Sequence, residues 1–215
     1  MHVYGIVPAD VEVDEEARGV GEPGSVRVIR YGVIAALVGS TDPPAPPAGQ
    51  AADQAGERAG ERAGERAGGR KAHEALLNAT AAEVPVLPIR FGTVVPDART
   101  LVDRLLEPHH DEFAHALGEL EGRAEYLVEL RYAEPRPPRE PDVLALVEAV
   151  EPVCVLMAPG RPSGERGLVR LAVLAETCRE GELEGVLETL AGEWAGRILV
   201  RLRGPLAAYD FTPGL

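Results

Sequence analysis

From residue 122 to residue 203, strand-like and helix-like segments follow one another in an order that few folds accommodate. In chain order these segments are EYLVELRY, PDVLALVEAV, PVCVLMA, LVRLAVLAE, GELEGVLETLAGEW and RILVRLR. Their patterns indicate strand, helix, strand, strand, helix and strand. A β-α-β-β-α-β order is that of the ferredoxin-like or split βαβ motif, in which two helices cover one face of a sheet. The sequence therefore predicts a ferredoxin-like domain over residues 122–203.

Residues 1–121 predict a separate domain, a small mixed sheet covered by helices. Its strand-like segments are VYGIV, then VRVIRY and VIAALVGS on either side of a hairpin turn at Tyr31-Gly32, and VLPIRF. Its helical segments are KAHEALLNATAAEV, a helix capped by Asp97 and stopped by Pro108, and a helix over residues 111–120. The predicted fold class is accordingly α+β with two domains.

Residues 41–70 differ in composition from the rest of the chain. They read DPPAPPAGQAADQ followed by the tetrapeptide repeat AGER-AGER-AGER-AGGR. Without large apolar side chains the segment cannot bury enough surface to offset the entropy of ordering it. The repeat also places a glycine in every helical turn, and each such glycine destabilises a helix by about 1 kcal/mol relative to alanine. We expect residues 41–70 to be a low-complexity insertion that forms at best a frayed helical extension and is dispensable for folding. The alternative is that the segment is a docking arm for a partner.

Residues 204–215 form a tail beyond the last predicted strand. The tail contains Tyr209 and Phe211, and aromatic side chains on a terminus are usually packed against the protein. We expect the tail to fold back onto the first domain.

The charge balance restricts the partners that the chain can have. With 22 Lys and Arg against 35 Asp and Glu, the net charge is −13. Such a surface repels phosphate backbones, so nucleic acid is not expected as a partner. No long apolar run predicts a membrane span or a secretion signal, and a cytoplasmic protein is expected. Cys154 and Cys178 lack metal-ligand spacing and are expected to be reduced structural thiols.

Catalytic and cofactor motifs are missing from the sequence. There is no GxGxxG, P-loop or GxSxG segment. His109 and Glu112 have a spacing that would fit a metal, but an exposed helix start explains them equally. His73-Glu74 would suit acid–base chemistry, but neighbouring helix residues point about 100° apart, which favours a packed His73 and a solvated Glu74. The sequence predicts no enzyme, no cofactor and no metal site.

The segment LPIRFGTV carries the most specific pattern of the first domain. Ile89 and Phe91 can face the core while Arg90 points away, and Gly92 permits a turn with positive φ. An arginine beside a buried strand needs a carboxylate or carbonyl partner. Two hypotheses remain for Arg90, Phe91 and Gly92: a structural clamp inside the domain, or a contact surface for a partner protein.

Several motifs in this order resemble the gas vesicle F/L family (GvpF/GvpL). They are AHEALL at 72–77, VPVLPIRFGTVV at 84–95 and LGELEGRAEY at 117–126, with VYGIV near the start and GPLAAYDF at 204–211. The resemblance extends over nearly the whole chain, and the middle motif is the most specific.

The resemblance implies a function in gas vesicles, the protein-walled buoyancy compartments of the cytoplasm. Family members are regarded as minor structural or assembly components that bind the hydrophobic major shell protein and help nucleate or assemble the wall. It also implies other gas vesicle accessory proteins as possible partners. Strand addition or an apolar groove on the first domain would suit such binding. A small-molecule-binding or regulatory ferredoxin-like module, which rests on fold analogy alone, and an enzyme using His73 and Glu74 are the alternatives.

Overall fold

The computed structural model describes residues 1–12, 26–40, 55–134, 139–160 and 168–212, with the backbone alone for 55–66. The described elements form two four-stranded sheets, and every strand pair within them is antiparallel. The α+β class is confirmed. The expectation of a mixed first sheet is wrong, because β1 pairs antiparallel with both β3 and β4, and β2 pairs antiparallel with β3.

The first sheet has the order β2-β3-β1-β4. Its strands are β1 (His2–Pro8), β2 (Val26–Tyr31), β3 (Ile34–Gly39) and β4 (Leu87–Pro88). The predicted hairpin between β2 and β3 is confirmed, with Gly32 at φ 58° in its turn. The predicted strand VLPIRF is much shorter than expected, since only Leu87–Pro88 pairs as a regular strand. Pro88 has no N–H to donate, which suits the edge position of β4.

Three helical segments cover both faces of this sheet. They are α1 (Ala55–Ala81), α2 (Ala98–Leu101) continued by a π-helical turn at Val102–Leu106, and α3 (His110–Glu119). The predicted cap is confirmed, because Asp97 Oδ1 accepts a hydrogen bond from the Thr100 N–H at 2.7 Å. One core lies between the sheet and α1, and the other between the sheet and α2–α3. All six residues of β3 are buried for this reason.

The tetrapeptide repeat belongs to α1. The helix begins at Ala55, so the repeat and the segment after it form one continuous helix and not a frayed end. Residues 41–54 of the expected insertion lie outside the described residues.

The second sheet has the order β6-β7-β5-β8. Its strands are β5 (Arg123–Tyr132), β6 (Leu156–Pro159), β7 (Leu168–Glu176) and β8 (Ile198–Leu206), with α4 (Glu140–Val150) and α5 (Glu180–Glu193) between them. The predicted chain order β-α-β-β-α-β is present, and α4 and α5 pack on one face of the sheet. The ferredoxin-like assignment itself stays a prediction.

Two boundaries of the second sheet differ from the sequence prediction. The segment PVCVLMA starts as a 3₁₀ turn at Glu151–Val153, and its strand begins only at Leu156. At the other end, β8 continues three residues beyond Arg203 to Leu206.

Residues 207–212 leave β8 and pack on the first sheet. Ala207 is buried in the core beside α1, and Ala208 lies in the core on the opposite face. The Ala207 N–H donates to Asn78 Oδ1 of α1 at 3.0 Å. Leu174 of β7 also belongs to the core beneath α2 and α3. The two sheets therefore share core residues.

Candidate functional site

A tight turn follows β4 at the edge of the first sheet. The Thr93 N–H and hydroxyl both donate to the Arg90 carbonyl, at 3.2 and 2.8 Å. Gly92, third in the turn, has φ 90°, the conformation that a type II turn requires at this position and that glycine adopts without strain. The positive φ predicted for Gly92 is confirmed.

The chain pairs with β1 on both sides of this turn. Before the turn, the Ile89 N–H donates to the Tyr4 carbonyl at 2.9 Å; after it, the Val3 N–H donates to the Thr93 carbonyl at 3.0 Å. The N–H of Val95 and the carbonyl of Met1 are bonded at 2.9 Å further along. Residues 90–93 therefore form a short excursion from an edge that is anchored at both ends. We call residues 90–94 the edge turn.

Side-chain exposure in the edge turn differs from one residue to the next. Arg90 is exposed, Phe91 is half-buried and Val94 is 54% exposed. Among the described residues the Arg90 guanidinium forms no hydrogen bond or ion pair. The structural clamp and the partner contact both stay predictions for Arg90, Phe91 and Gly92, and the exposure of Arg90 favours the second. The edge turn offers an apolar surface bordered by a cation.

His73 supports the edge turn from α1. Its ring contacts the rings of Phe91 and Tyr4, with centroid distances of 5.6 and 5.4 Å. Its Nε2 lies 3.1 Å from the Ile89 carbonyl, to which a neutral ring donates. His73 is 3% exposed, whereas Glu74 is half-exposed and paired with Arg70. The predicted packing of His73 and solvation of Glu74 are confirmed.

Burial lowers the pKa of His73, against a smaller upward contribution from its hydrogen bond to the Ile89 carbonyl. Glu74 on the same helix raises the pKa of His73 slightly, and His2 on β1 lowers it. The pKa of His2 is itself lowered, mainly by burial and also by the N-terminal amine. His73 is therefore neutral in the folded protein at pH values where an exposed histidine is protonated.

This neutral histidine makes stability depend on pH. Below pH 6.5 the unfolded chain binds a proton at His73 that the native chain excludes. As the pH is lowered, the free energy of unfolding should therefore decrease by about 1.4 kcal/mol per pH unit until His73 is protonated in the native protein as well. We expect His73→Gln to be less stable at pH 7.5 but to lose less on going to pH 5.5. Urea unfolding at both values measures this, with exposed His115→Gln as control. A slope equal to that of the unsubstituted protein would contradict the prediction.

The two tail aromatics do not join the edge turn. Tyr209 packs against the core beside α1, and Phe211 packs against the core beneath α2 and α3. Between them, the Asp210 N–H donates to buried Glu125 of β5 at 2.8 Å. Tyr209 and Phe211 thus fix the tail to the sheet on different faces.

The histidines at the start of α3 are engaged in local pairs. His109 Nδ1 lies 3.2 Å from Glu112 Oε2, and His110 Nδ1 lies 2.8 Å from Asp111 Oδ1. The other ring nitrogen of His110 accepts the Val33 N–H at 3.4 Å. These contacts connect the β2–β3 hairpin to α3. In the described residues no three His, Cys, Asp or Glu side chains lie together as metal ligands would.

The two cysteines differ in their surroundings. Cys154 is partly buried against the core of the second sheet, whereas Cys178 is exposed, and neither is in a disulfide. Burial raises the pKa of the Cys154 thiol, with a further contribution from Glu151. The expectation of a structural thiol fits Cys154 better than Cys178.

Sequence reasoning missed Val94 and the strand β8 as surfaces. Val94 follows the predicted turn, and of two successive valines in an extended segment one faces outward, which was the signal for its exposure. In RILVRLR, the alternation of arginine with apolar residues was the signal of an edge strand with two unlike faces.

None of the helices in the described part of the chain is long and apolar enough to cross a membrane.

Comparison with known proteins gives consistent matches. A family model described as "Gas vesicle synthesis protein GvpL/GvpF" matches residues 1–141 and 135–213. Gas vesicle protein L of Streptomyces sp. (strain CB03234) is 34% identical over 137 residues, which are 63% of this chain and 48% of that protein. The match therefore spans about half the length of that relative.

Two solved structures share the fold. The gas vesicle protein GvpF of Anabaena sp. PCC7120 superposes with a TM-score of 0.74 at 19% identity, covering 99% of this chain and 95% of that one. GvpF of Microcystis aeruginosa superposes with a TM-score of 0.72 at 15% identity, covering 98% and 97%. At these identities the structures establish the fold and not the function.

Proposed function

Because the chain belongs to the GvpL/GvpF family of gas vesicle synthesis proteins, we propose that it is a non-enzymatic accessory or minor structural protein of the gas vesicle. In this proposal it works in the cytoplasm, binds the hydrophobic major shell protein and assists nucleation or assembly of the wall. Other gas vesicle accessory proteins are further partners in the same process.

The edge turn is the observation that supports binding of a hydrophobic partner. It presents Phe91 half-buried and Val94 largely exposed, next to the exposed cation of Arg90. Exposed apolar side chains beside a sheet edge suit an apolar, β-rich subunit, which can add backbone pairing to the side-chain contact. We therefore assign shell binding to the edge turn.

The edge turn is also held in one conformation before a partner arrives. Gly92 permits the turn, Thr93 closes it with two hydrogen bonds, and His73 packs against Phe91. A surface that is already ordered loses little conformational entropy when it binds. Such an element suits capture of a hydrophobic, aggregation-prone subunit.

The net charge of the chain suits the same task. At −13 the protein repels other copies of itself and of any complex that it forms. A chain of this kind keeps an aggregation-prone subunit dispersed until the wall incorporates it.

Co-purification of the full-length chain with the hydrophobic shell subunit tests the proposal. We expect Val94→Glu to reduce the amount of co-purified shell subunit at least tenfold, because a carboxylate would be buried against apolar surface. Leu144→Glu is the matched control: Leu144 is also 54% exposed but lies on α4, on the second sheet. It should leave capture unchanged.

Salt separates an apolar contact from a charged one. Binding through apolar surface, at about 25 cal/mol per Å² buried, should survive 1 M salt, whereas exposed charge pairs are screened. Equal capture by Val94→Glu and the unsubstituted protein, or loss of capture only with Leu144→Glu, would reject the edge turn as the shell-binding surface.

A further inference from the structure

Among the described strands, β8 (Ile198–Leu206) lies at an outer edge of the second sheet with β5 as its neighbour, and α1 contacts β8. Its side chains alternate between the two faces. Ile198, Val200 and Leu202 face α5 and belong to or pack against the core. Leu199, Arg201 and Arg203 face the opposite way and are exposed, Leu199 by 57%. The edge therefore has one apolar face and one cationic face.

Open grooves lie beside this edge. One, of about 240 Å³, lies between β8 and α5 and is lined by Val200, Leu202, Leu187 and Ala191, with Glu184 and Glu188 at its rim. A second continues from Val200 and Ala191 towards Ile198 and Leu199. Val200 and Leu202 are only half-buried there, so an added strand could complete their cover.

The cationic side is short of compensating charge. Glu129 of β5 lies opposite Arg201 in the register, but its carboxylate is paired with Arg170 of β7 at 2.9 Å. Arg201 and Arg203 form no ion pair with any residue in the described part of the chain. In a protein with a net charge of −13, two such arginines on one open edge favour an anionic partner.

We propose that the β8 edge binds an extended, acidic segment of another protein by strand addition. Residues two apart in a strand are about 7 Å apart on the same face. A segment with carboxylates at alternate positions would therefore place them along Arg201 and Arg203, while the residues between them enter the groove beside Val200 and Leu202. The partner alternates Asp or Glu with Val, Ile or Leu over about six residues.

This surface is distinct from the edge turn. It lies on the other sheet, has a charged face, and does not depend on the shell-binding proposal. Arginines on an edge strand can also serve only to prevent unwanted strand pairing. The two explanations predict opposite results with a peptide of the proposed pattern.

Fluorescence anisotropy with eight-residue peptides and the full chain makes the test. We expect an alternating Glu–Val peptide to bind at least tenfold more tightly than a peptide with the same residues in two blocks, and more tightly than an alternating Lys–Val peptide. Raising the salt should weaken binding, because the charges are exposed. Methylation of alternate backbone nitrogens of the Glu–Val peptide should abolish its binding, since strand addition needs the backbone N–H donors of the peptide.

Charge reversal gives the sharpest comparison. The Arg201→Glu/Arg203→Glu protein should lose at least tenfold in affinity for the Glu–Val peptide and gain affinity for the Lys–Val peptide. The control Arg27→Glu/Arg104→Glu carries the same change of net charge on the first-sheet half of the molecule, at two exposed positions, and should bind the Glu–Val peptide nearly as the unsubstituted protein does. A correctly folded far-UV spectrum is required of both.

Three results would overturn the proposal. No binding of the Glu–Val peptide would mean that the arginines only protect the edge. Equal binding of the N-methylated peptide would show charge attraction without strand addition. If the protein self-associates and the Arg201→Glu/Arg203→Glu substitutions abolish this self-association, the edge binds a second copy of the chain instead.

Discussion

Deletion of residues 207–215 is expected to lower the melting temperature by about 10–20 °C. The deletion removes buried Ala207 and Ala208 and the half-buried rings of Tyr209 and Phe211. It also removes the hydrogen bonds to Asn78 and to Glu125. Together we expect these losses to cost about 5 kcal/mol, and each kcal/mol shifts the melting temperature of a chain this size by about 2–4 °C.

The site of truncation matters in this experiment. A cut after Arg203 would also remove Gly204–Leu206, which belong to β8, so the cut is placed after Leu206. Asn78→Ala is the graded control, because it removes one hydrogen bond and should cost about 1 kcal/mol. If the truncated protein melts within a few degrees of the full chain, the tail does not form part of the core.

Substitution of Gly39 by alanine is expected to cost about 2–3 kcal/mol, a fall of about 5–10 °C in melting temperature. Gly39 is buried at the end of β3, where a β-carbon would lie 2.9 Å from Tyr4 Cζ and closer still to the Tyr4 hydroxyl. Tyr4 is fully buried and packs against His73. The ring therefore has no free space into which it can move.

A glycine in open space supplies the control for Gly39→Ala. A β-carbon on Gly185 of α5 would meet no atom within 4 Å. Gly185→Ala should raise stability by about 0.5–1 kcal/mol, because alanine favours the helix. Thermal denaturation of both variants gives the comparison; similar effects of the two substitutions would disprove the steric explanation.

The sequence predicted the order of the helices and strands more accurately than it predicted their boundaries. Period-two and period-3.6 patterns predicted five helices and most strands, since burial of one face imposes these periods. The segment VLPIRF was predicted as a strand from its apolar content, but a proline at an edge position left only Leu87–Pro88 regularly paired. At β8 the opposite happened: Gly204 and Pro205 read as the start of a tail, yet the strand continues through them.

Local sequence patterns could not predict contacts between residues that are far apart in the chain. The turn at Gly92 and the packing of His73 followed from residue chemistry and helix geometry. The exposure of Arg90, the split of Tyr209 and Phe211 between two faces, and the position of Leu174 in the first core depend on how the two sheets meet. No short-range periodicity encodes that arrangement, because it joins residues that are far apart in the chain.

The hydrogen bond between Ala207 and Asn78 joins residues 129 positions apart, and this separation bears on how the protein is made. During translation α1 and the first sheet leave the ribosome long before the tail that completes their two cores. A nascent chain that has not reached Ala207 still lacks part of the packing behind Tyr4 and Ile6. We infer that both cores of the first sheet are complete only after residues 207–212 are released, so a polypeptide whose synthesis stops before them would lack the packing of Ala207 and Ala208.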